Sequence, residues 1–237
     1  MGYPSRPMDY IKGEVLFFDK DLNWTSFDLV QRVRNSICRE LGIKKLKVGH
    51  AGTLDPLATG LMILCSGKST SLIESFQDAE KEYVAELKIG ATTPSFDMET
   101  DEDNKSDFSY VTAELIEVVA NRFTGVIEQE PPVFSAIKVN GKRAFHFARQ
   151  GQEVDIKPRK VNIRKISVTI FEPPKIEIVV ICSKGTYIRS LARDIGRALD
   201  CGAYLTGLRR VRIGDYRVDN AWKVNDFLNY LQNKETN

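Results

Sequence analysis

The chain has 237 residues, of which 42% are hydrophobic and 28% charged, with a formal net charge of +2. That is the composition of an ordinary soluble globular protein, long enough to bury a full core without staples. No apolar run approaches the roughly 18–20 residues that span a bilayer, residues 1–12 are polar and broken by Pro4 and Pro7, which excludes a secretory leader, and so small a net charge does not by itself call for a polyanionic partner.

Cys38, Cys65, Cys182 and Cys201 form no C-x-x-C pair and read as reduced thiols of a cytoplasmic protein. His50 and His146 are the only histidines, so a His-rich zinc site is not available. The charge is unevenly spread. Basic clusters at Lys44-Lys45-Lys47, at residues 157–165 and at Arg209-Arg210-Arg212 stand against an acidic stretch at 97–107. A field of that kind can steer a polyanion.

Residues 13–18 form a short apolar run and predict a strand. Thr25 or Ser26 then caps a helix whose apolar face is Phe27, Val30, Val33, Ile37 and Leu41, and Gly42 ends it. After the basic turn come Val48-Gly49-His50-Ala51-Gly52-Thr53-Leu54-Asp55-Pro56-Leu57-Ala58-Thr59-Gly60 and a buried strand over 61–65. Gly67-Lys68-Ser69-Thr70 looks like the tail of a phosphate-binding loop, but Met62 stands where that motif needs glycine, so a helix from about Ser69 is the better reading. In 82–89, Tyr83, Ala85, Leu87 and Ile89 share one face of a half-buried strand. Residues 91–107 read as a polar loop too acidic for the core.

A helix is expected at 112–123, with Leu115, Ile116, Val119 and Phe123 apolar. A strand follows at 135–139, then a tight Asn140-Gly141 hairpin and a short helix at 142–150. Strands at 161–171 and 175–182 are joined by Glu172-Pro173-Pro174. A helix at 186–199 turns Ile188, Leu191, Ala192 and Ile195 inward, with Arg189 and Arg193 on another face. A strand at 203–216 and a closing helix at 224–231 complete the chain. Strands and helices mix without strict βαβ alternation, which predicts an α+β fold with a largely antiparallel sheet.

The glycine-rich stretch is the place where chemistry could sit. Pro56 biases Asp55 towards an extended or turn conformation, and the loop abuts a core strand. It is either an Asp-Pro turn bonded to its own amides or a seat for a catalytic carboxylate. No second acid has a comparable setting, as a glycosidase would need, and no G-x-S-x-G elbow exists. What remains is covalent or general-base work by one aspartate. Such a carboxylate benefits from a cation within roughly 4–6 Å, for which Arg189, after Gly185-Thr186-Tyr187, is a candidate.

The segment from Gly49 to Gly60 resembles the signature of the TruB family of tRNA pseudouridine synthases. Lys81-Glu82-Tyr83, Pro131-Pro132 through Ser135-Ala136-Ile137-Lys138-Val139-Asn140-Gly141-Lys142-Arg143, Ser183-Lys184-Gly185-Thr186-Tyr187-Ile188-Arg189 and Leu208-Arg209-Arg210 are similar to its later motifs, in the family's order. The resemblance implies the pseudouridine synthase fold, a mixed sheet flanked by helices and loops around a central RNA-binding cleft, and isomerisation of uridine 55 in the T-loop of tRNA without cofactor or metal. It implies Asp55 as the nucleophile on a flipped-out uridine, attacking ribose or base, with Arg189 as its partner. Tyr83 would stack on the uracil and take the C5 proton. Tyr187 and Leu208 match substrate-pocket positions, His50 a residue filling the gap left by flipped bases, and Lys20 a substrate-binding position.

Departures are Asp21 where many members carry proline and Ser71 where lysine is common. The reading is of a single catalytic domain over residues 1–237, with a mobile RNA-binding flap at 130–158 and no PUA domain. A cytoplasmic monomer using no guide RNA and no membrane is expected. The rivals are an RNA-binding protein without turnover, which would not need Asp55 with Tyr83 and Arg189, and a guide-RNA-dependent synthase sharing the same core.

Overall fold

A computed structural model describes residues 7–135, 137–139, 141–148, 150, 152 and 155–232. In chain order the elements are β1 (Val15–Lys20), α1 (Ser26–Glu40), β2 (Val48–His50), β3 (Ala58–Ser66), α2 (Ile73–Asp78), β4 (Lys81–Ile89), β5 (Ala91–Thr92), β6 (Asn104–Lys105), α3 (Ala113–Asn121), β7 (Gly125–Gln129), β8 (Lys138–Val139), β9 (Lys142–Arg143), α4 (Ala144–Ala148), β10 (Arg159–Glu172), β11 (Lys175–Cys182), α5 (Ile188–Ala198), β12 (Ala203–Ile213), β13 (Tyr216–Arg217) and α6 (Val224–Gln232). A 3-10 turn at Gly67–Leu72 precedes α2, where the sequence predicts one helix. The fold is α+β, as expected. The chain divides into two compact units, one running to Glu82 and resuming at Arg209, the other Tyr83–Leu208, so β4 and β12 are each shared.

In the first unit β3 is the central strand. β1 pairs with it antiparallel, Val15 opposite Cys65 and Lys20 opposite Gly60, and β2 pairs with it antiparallel, Val48 opposite Ser66. β13 folds back on the end of β12. Leu61, Ile63 and Cys65 of β3 pack with Ala51, Ile213, Val218 and Ala221. Phe227 of α6 meets Tyr10, Phe18 and Trp222 edge to face, a favoured geometry for aromatic rings.

Thr25, one of the two caps the sequence offers, caps α1 and forms a reciprocal box with Asp28. The buried stripe of α1 is Leu29, Val30, Val33 and Ile37. Phe27 is 66% exposed and Leu41 is also exposed. At about 100° per residue, position 27 lies roughly a quarter-turn away from the centre of that stripe.

The second unit is built on the antiparallel strands β11, β10 and β7. Val180 lies opposite Ile166, and Ile127 opposite Val161. β4 alternates as expected, with Tyr83, Ala85, Leu87 and Ile89 buried. The stretch 91–107 is not a plain polar loop. It contains the β5–β6 pair and buries Thr93, Ser95 and Asp97. Thr112 caps α3, which buries Ile116, Val119 and Ala120. The short pair β8–β9 fits the expected hairpin. Asn140 at its turn lies outside the described residues, as do positions 136, 149, 151, 153 and 154 of the expected 130–158 flap. Helix α5 buries Ile188, Leu191, Ala192 and Ile195 as expected, together with Arg189 and Arg193.

All four cysteines are free thiols, Cys38 half-buried and the others buried. Among the described residues, no helix is long and apolar enough to cross a membrane, and no group of three His, Cys, Asp or Glu side chains could hold a metal ion.

Candidate active site

In the first unit, the turn that carries Asp55 is fixed from both ends. β2 delivers the chain as far as His50, and the Ala51 amide donates to the Ile63 carbonyl at 2.9 Å. The Ser26 hydroxyl, buried at the start of α1, accepts from the Leu54 amide at 2.9 Å and donates to the Leu54 carbonyl at 3.0 Å. On the far side the Asn23 amide donates to the Pro56 carbonyl at 2.8 Å, and the Ala58 amide closes the turn on the Asp55 carbonyl at 3.1 Å. Leu54 and Ala58 are buried, whereas Asp55 between them is only half-buried.

Arg210 supports the same loop from beneath. It is 1% exposed, and its guanidinium donates to the carbonyls of Leu61 at 2.8 Å, Gly52 at 3.1 Å and Thr53 at 3.4 Å. Gly60, at φ +107°, passes so close to the Arg210 backbone that a Cβ would overlap its carbonyl.

Lys20 is 1% exposed. Its ammonium donates to the carbonyls of Trp24 at 2.7 Å, Asp21 at 3.0 Å and Pro56 at 3.5 Å. Burial lowers its pKa to about 8, against the opposing pull of the nearby Asp55 charge. A side chain so placed acts on the loop rather than reaching out to solvent. His50 is half-buried, and burial pushes its imidazole below the ordinary histidine pKa, so it is neutral at pH 7.

The second unit holds the other expected residues. Tyr83 is buried on β4, and Leu208 lies half-buried on β12. Tyr187 is the N-cap of α5. The Gln129 side chain grips it, accepting from the Tyr187 amide at 2.7 Å and donating to the Tyr187 carbonyl at 3.0 Å. The Arg159 guanidinium lies 4.5 Å from the Tyr187 ring centroid and also donates to the Gly185 carbonyl.

Arg189 is 4% exposed. It donates to the Phe134 carbonyl at 2.9 Å and the Ser95 carbonyl at 3.4 Å, and its Nη1 lies 3.5 Å from the Asp97 carboxylate. Asp97 also accepts from the Glu99 amide at 2.9 Å. One turn on, Arg193 pairs with Asp194 at 2.8 Å and covers the ring of Phe96, a residue held at φ +63°. Within their own units the structure thus brings Lys20, His50 and Asp55 onto one loop system, and Tyr187 and Arg189 onto one helix start.

Asp97, Gln129 and Arg210 are functional candidates that the sequence reading did not single out. Gln129 and Asp97 carried no local signal, since their partners lie 58 and 92 positions away in the chain. Arg210 was hidden inside a cluster read as RNA-facing. That cluster is largely internal. Arg209 chelates Asp19 with two bonds of 2.9 Å, and Arg212 pairs with Glu80 at 2.9 Å and Glu82 at 2.8 Å.

Comparison with known proteins adds the following. Residues 39–188 match the TruB family pseudouridylate synthase N-terminal domain, and residues 189–237 match the tRNA pseudouridylate synthase B C-terminal domain. The chain is 55% identical to tRNA pseudouridine synthase B of Phocaeicola vulgatus, over 96% of this chain and 97% of that one. It is 53% identical to the protein of that name from Bacteroides thetaiotaomicron, with the same two coverages. Among solved structures, a Cbf5-Nop10-Gar1 complex matches with a TM-score of 0.72 at 29% identity, covering 99% of this chain and 60% of that one. An H/ACA RNP bound to a substrate RNA containing 2'-deoxyuridine matches with a TM-score of 0.67 at 26% identity, covering 96% of this chain and 56% of that one.

Proposed function

The chain belongs to the TruB family of pseudouridylate synthases and is an isomerase, and we propose that it converts uridine 55 in the T-loop of tRNA to pseudouridine with Asp55 as the nucleophile. The substrate assignment draws on the curated relatives named tRNA pseudouridine synthase B, whose length it matches almost entirely. The residue assignment rests on one observation. The turn is pinned by buried bonds at Leu54 and Pro56, while the carboxyl-bearing residue between them stays half-buried. A nucleophile needs that combination of fixed backbone and accessible side chain.

In the reaction the N1–C1′ bond breaks, the uracil turns over and a C5–C1′ bond forms. C5 loses a proton and N1 gains one, so the composition is unchanged. The carboxylate of Asp55 attacks either the ribose C1′ or the base. The ring of Tyr83 stacks on the uracil and its hydroxyl accepts the C5 proton, and Tyr187 and Leu208 flank the base. Arg189 supplies the cation that an ionised nucleophile favours. Extrusion of the nucleotide costs a few kcal/mol of unstacking. The neutral ring of His50, placed in the vacated gap, recovers part of it at about 1–3 kcal/mol per stacked base. Lys20 holds the Asp55 turn from within. The enzyme works as a cytoplasmic monomer without a guide RNA.

The test is tritium release from a tRNA transcript labelled at uracil C5. The wild type is expected to release label, a transcript with cytidine at position 55 to release none from that site, and Asp55→Asn to lose activity by on the order of 10⁴-fold while still binding RNA. Robust release by Asp55→Asn would remove the nucleophile assignment, and undiminished release from the position-55 variant would remove the site assignment.

A further inference from the structure

The basic cluster at Lys44-Lys45-Lys47 keeps its charges unspent, and in the second unit Lys157, Lys160 and Lys165 are exposed too. Arg209 and Arg212 are taken up by Asp19, Glu80 and Glu82, and Arg159 is laid on Tyr187. In the first unit Lys44, Lys45 and Lys47 are exposed, as are Arg32 and Arg39 of α1, and Arg34 is half-exposed. None of the six makes an ion pair with a carboxylate among the described residues, in a unit where Asp19 alone takes two cations. Asp28, the acid closest in sequence to Arg32, is committed to the Thr25 cap by bonds of 2.9 and 2.6 Å.

These cations lie along connected concavities rather than scattered over a convex face. One hollow is lined by Arg34, Asn35, Cys38, Lys44, Lys45 and Lys47. It shares Lys47 with a second hollow that reaches Gly49, the neighbour of His50, and also includes Glu74. It shares Asn35 with a third that holds Arg32 and Arg39, with Asp28 at its side. The result is a basic track that starts beside the His50 loop and runs along the outer face of α1, whose opposite face is buried in the core.

We propose that this track is a second RNA-contact surface, which grips successive backbone phosphates of the same RNA whose target nucleotide is handled at the Asp55 loop. The inference rests on the tRNA reading above. Lysine and arginine on phosphates position a nucleic acid without reading its sequence, so the track sets affinity and register while the chemistry stays at the loop. Its hollows are polar and open, which suits a strand of phosphates better than an apolar ligand.

The test is the triple variant Arg34→Gln/Lys44→Gln/Lys45→Gln in the full chain, assayed by tritium release and by RNA binding across a salt series. Each phosphate contact contributes roughly 0.7–0.9 to the slope of log affinity against log salt, so losing three should flatten that slope by about two. A slope of two corresponds to a wild-type advantage that shrinks about sixteenfold between roughly 50 and 200 mM salt. KM is expected to rise by about twentyfold at the lower salt, with kcat within about twofold of wild type. The variant Arg122→Gln/Arg197→Gln, which removes two exposed cations, one from the C-cap of α3 and one from α5, is expected to leave KM unchanged. The track is refuted if the triple variant keeps the wild-type KM and salt slope, or if the control variant raises KM as much. An inactive wild type would instead refute the tRNA reading, so the two failures are distinguishable.

Discussion

The Arg189 guanidinium lies 3.5 Å from the Asp97 carboxylate, both side chains are almost fully buried, and they come from opposite ends of the second unit's sequence. Arg189 follows the N-cap of α5, and Asp97 closes a loop in which its own backbone carbonyl accepts from Thr93 at 2.7 Å and Ser95 at 3.2 Å. The pair therefore ties the acidic loop to the helix start, and it fixes the head of a residue assigned to catalysis.

Removing one partner of a buried ion pair typically costs 3–5 kcal/mol. Because Arg189 keeps its carbonyl partners at Ser95 and Phe134, Asp97→Ala is expected at the lower end, about 3 kcal/mol. Urea unfolding followed by circular dichroism measures it. A loss below about 1 kcal/mol would mean that the guanidinium does not depend on Asp97.

The same pair marks where the sequence stops being legible. Periodicity located β4 and the inward faces of α3 and α5 because those patterns are local, and a cap at Thr25 or Ser26 announced the start of α1. The solitary carboxylate of Asp55 between glycines was visible for the same reason. Helical spacing puts Arg189 and Arg193 on a face other than the apolar stripe and does not say whether that face is buried. What buries them is a set of acceptors at residues 95, 97, 130 and 134, brought in by chain segments that no helical spacing encodes. The Arg209-Arg210-Arg212 run misled for a related reason. Its partners come from distant parts of the chain, Asp19 for Arg209, the Leu61 carbonyl for Arg210 and Glu82 for Arg212, so a run of like charges is met by three different groups of the protein itself.

Lys20 gives a prediction with a defined sign. Its folded-state pKa is lowered to about 8 mainly by burial, and the Asp55 charge works in the opposite direction. Replacing Asp55 by Asn removes that support, so the Lys20 pKa should fall further. Titration of ¹⁵N-labelled lysine side chains would show it, and an unchanged midpoint would mean that the two groups are not coupled. The linkage follows. An unfolded lysine titrates near 10.4, so between about pH 8 and 10 the unfolded chain binds more protons here, and this group's contribution to stability rises with pH over that window.

Gln129 gives the last prediction. Its side chain is fully buried at 0% exposure and bonds both the amide and the carbonyl of Tyr187, and the next residue's carbonyl accepts from the Ser190 hydroxyl at 2.7 Å. The end of β7 thus sets the first turn of α5, on which Tyr187 and Arg189 depend. Gln129→Ala takes the side-chain acceptor away from the Tyr187 amide, at about 1–3 kcal/mol, whereas the Tyr187 carbonyl keeps the Leu191 amide at 3.1 Å. Gln129→Glu is the sharper probe. A carboxylate can still accept from the Tyr187 amide, but its second oxygen faces the Tyr187 carbonyl, and only the protonated acid restores the donor. The folded state would therefore raise the Glu pKa above its usual value near 4.3. The restored stability is present below that value and is lost as pH rises through the folded-state pKa. Chemical denaturation of Gln129→Glu at pH 4.5 and 7.5, with wild type measured in parallel, distinguishes the cases. The variant should be closer to wild type at about pH 4.5 than at about pH 7.5, and a gap that does not widen with pH would mean that the amide donor to Tyr187 contributes nothing to the fold.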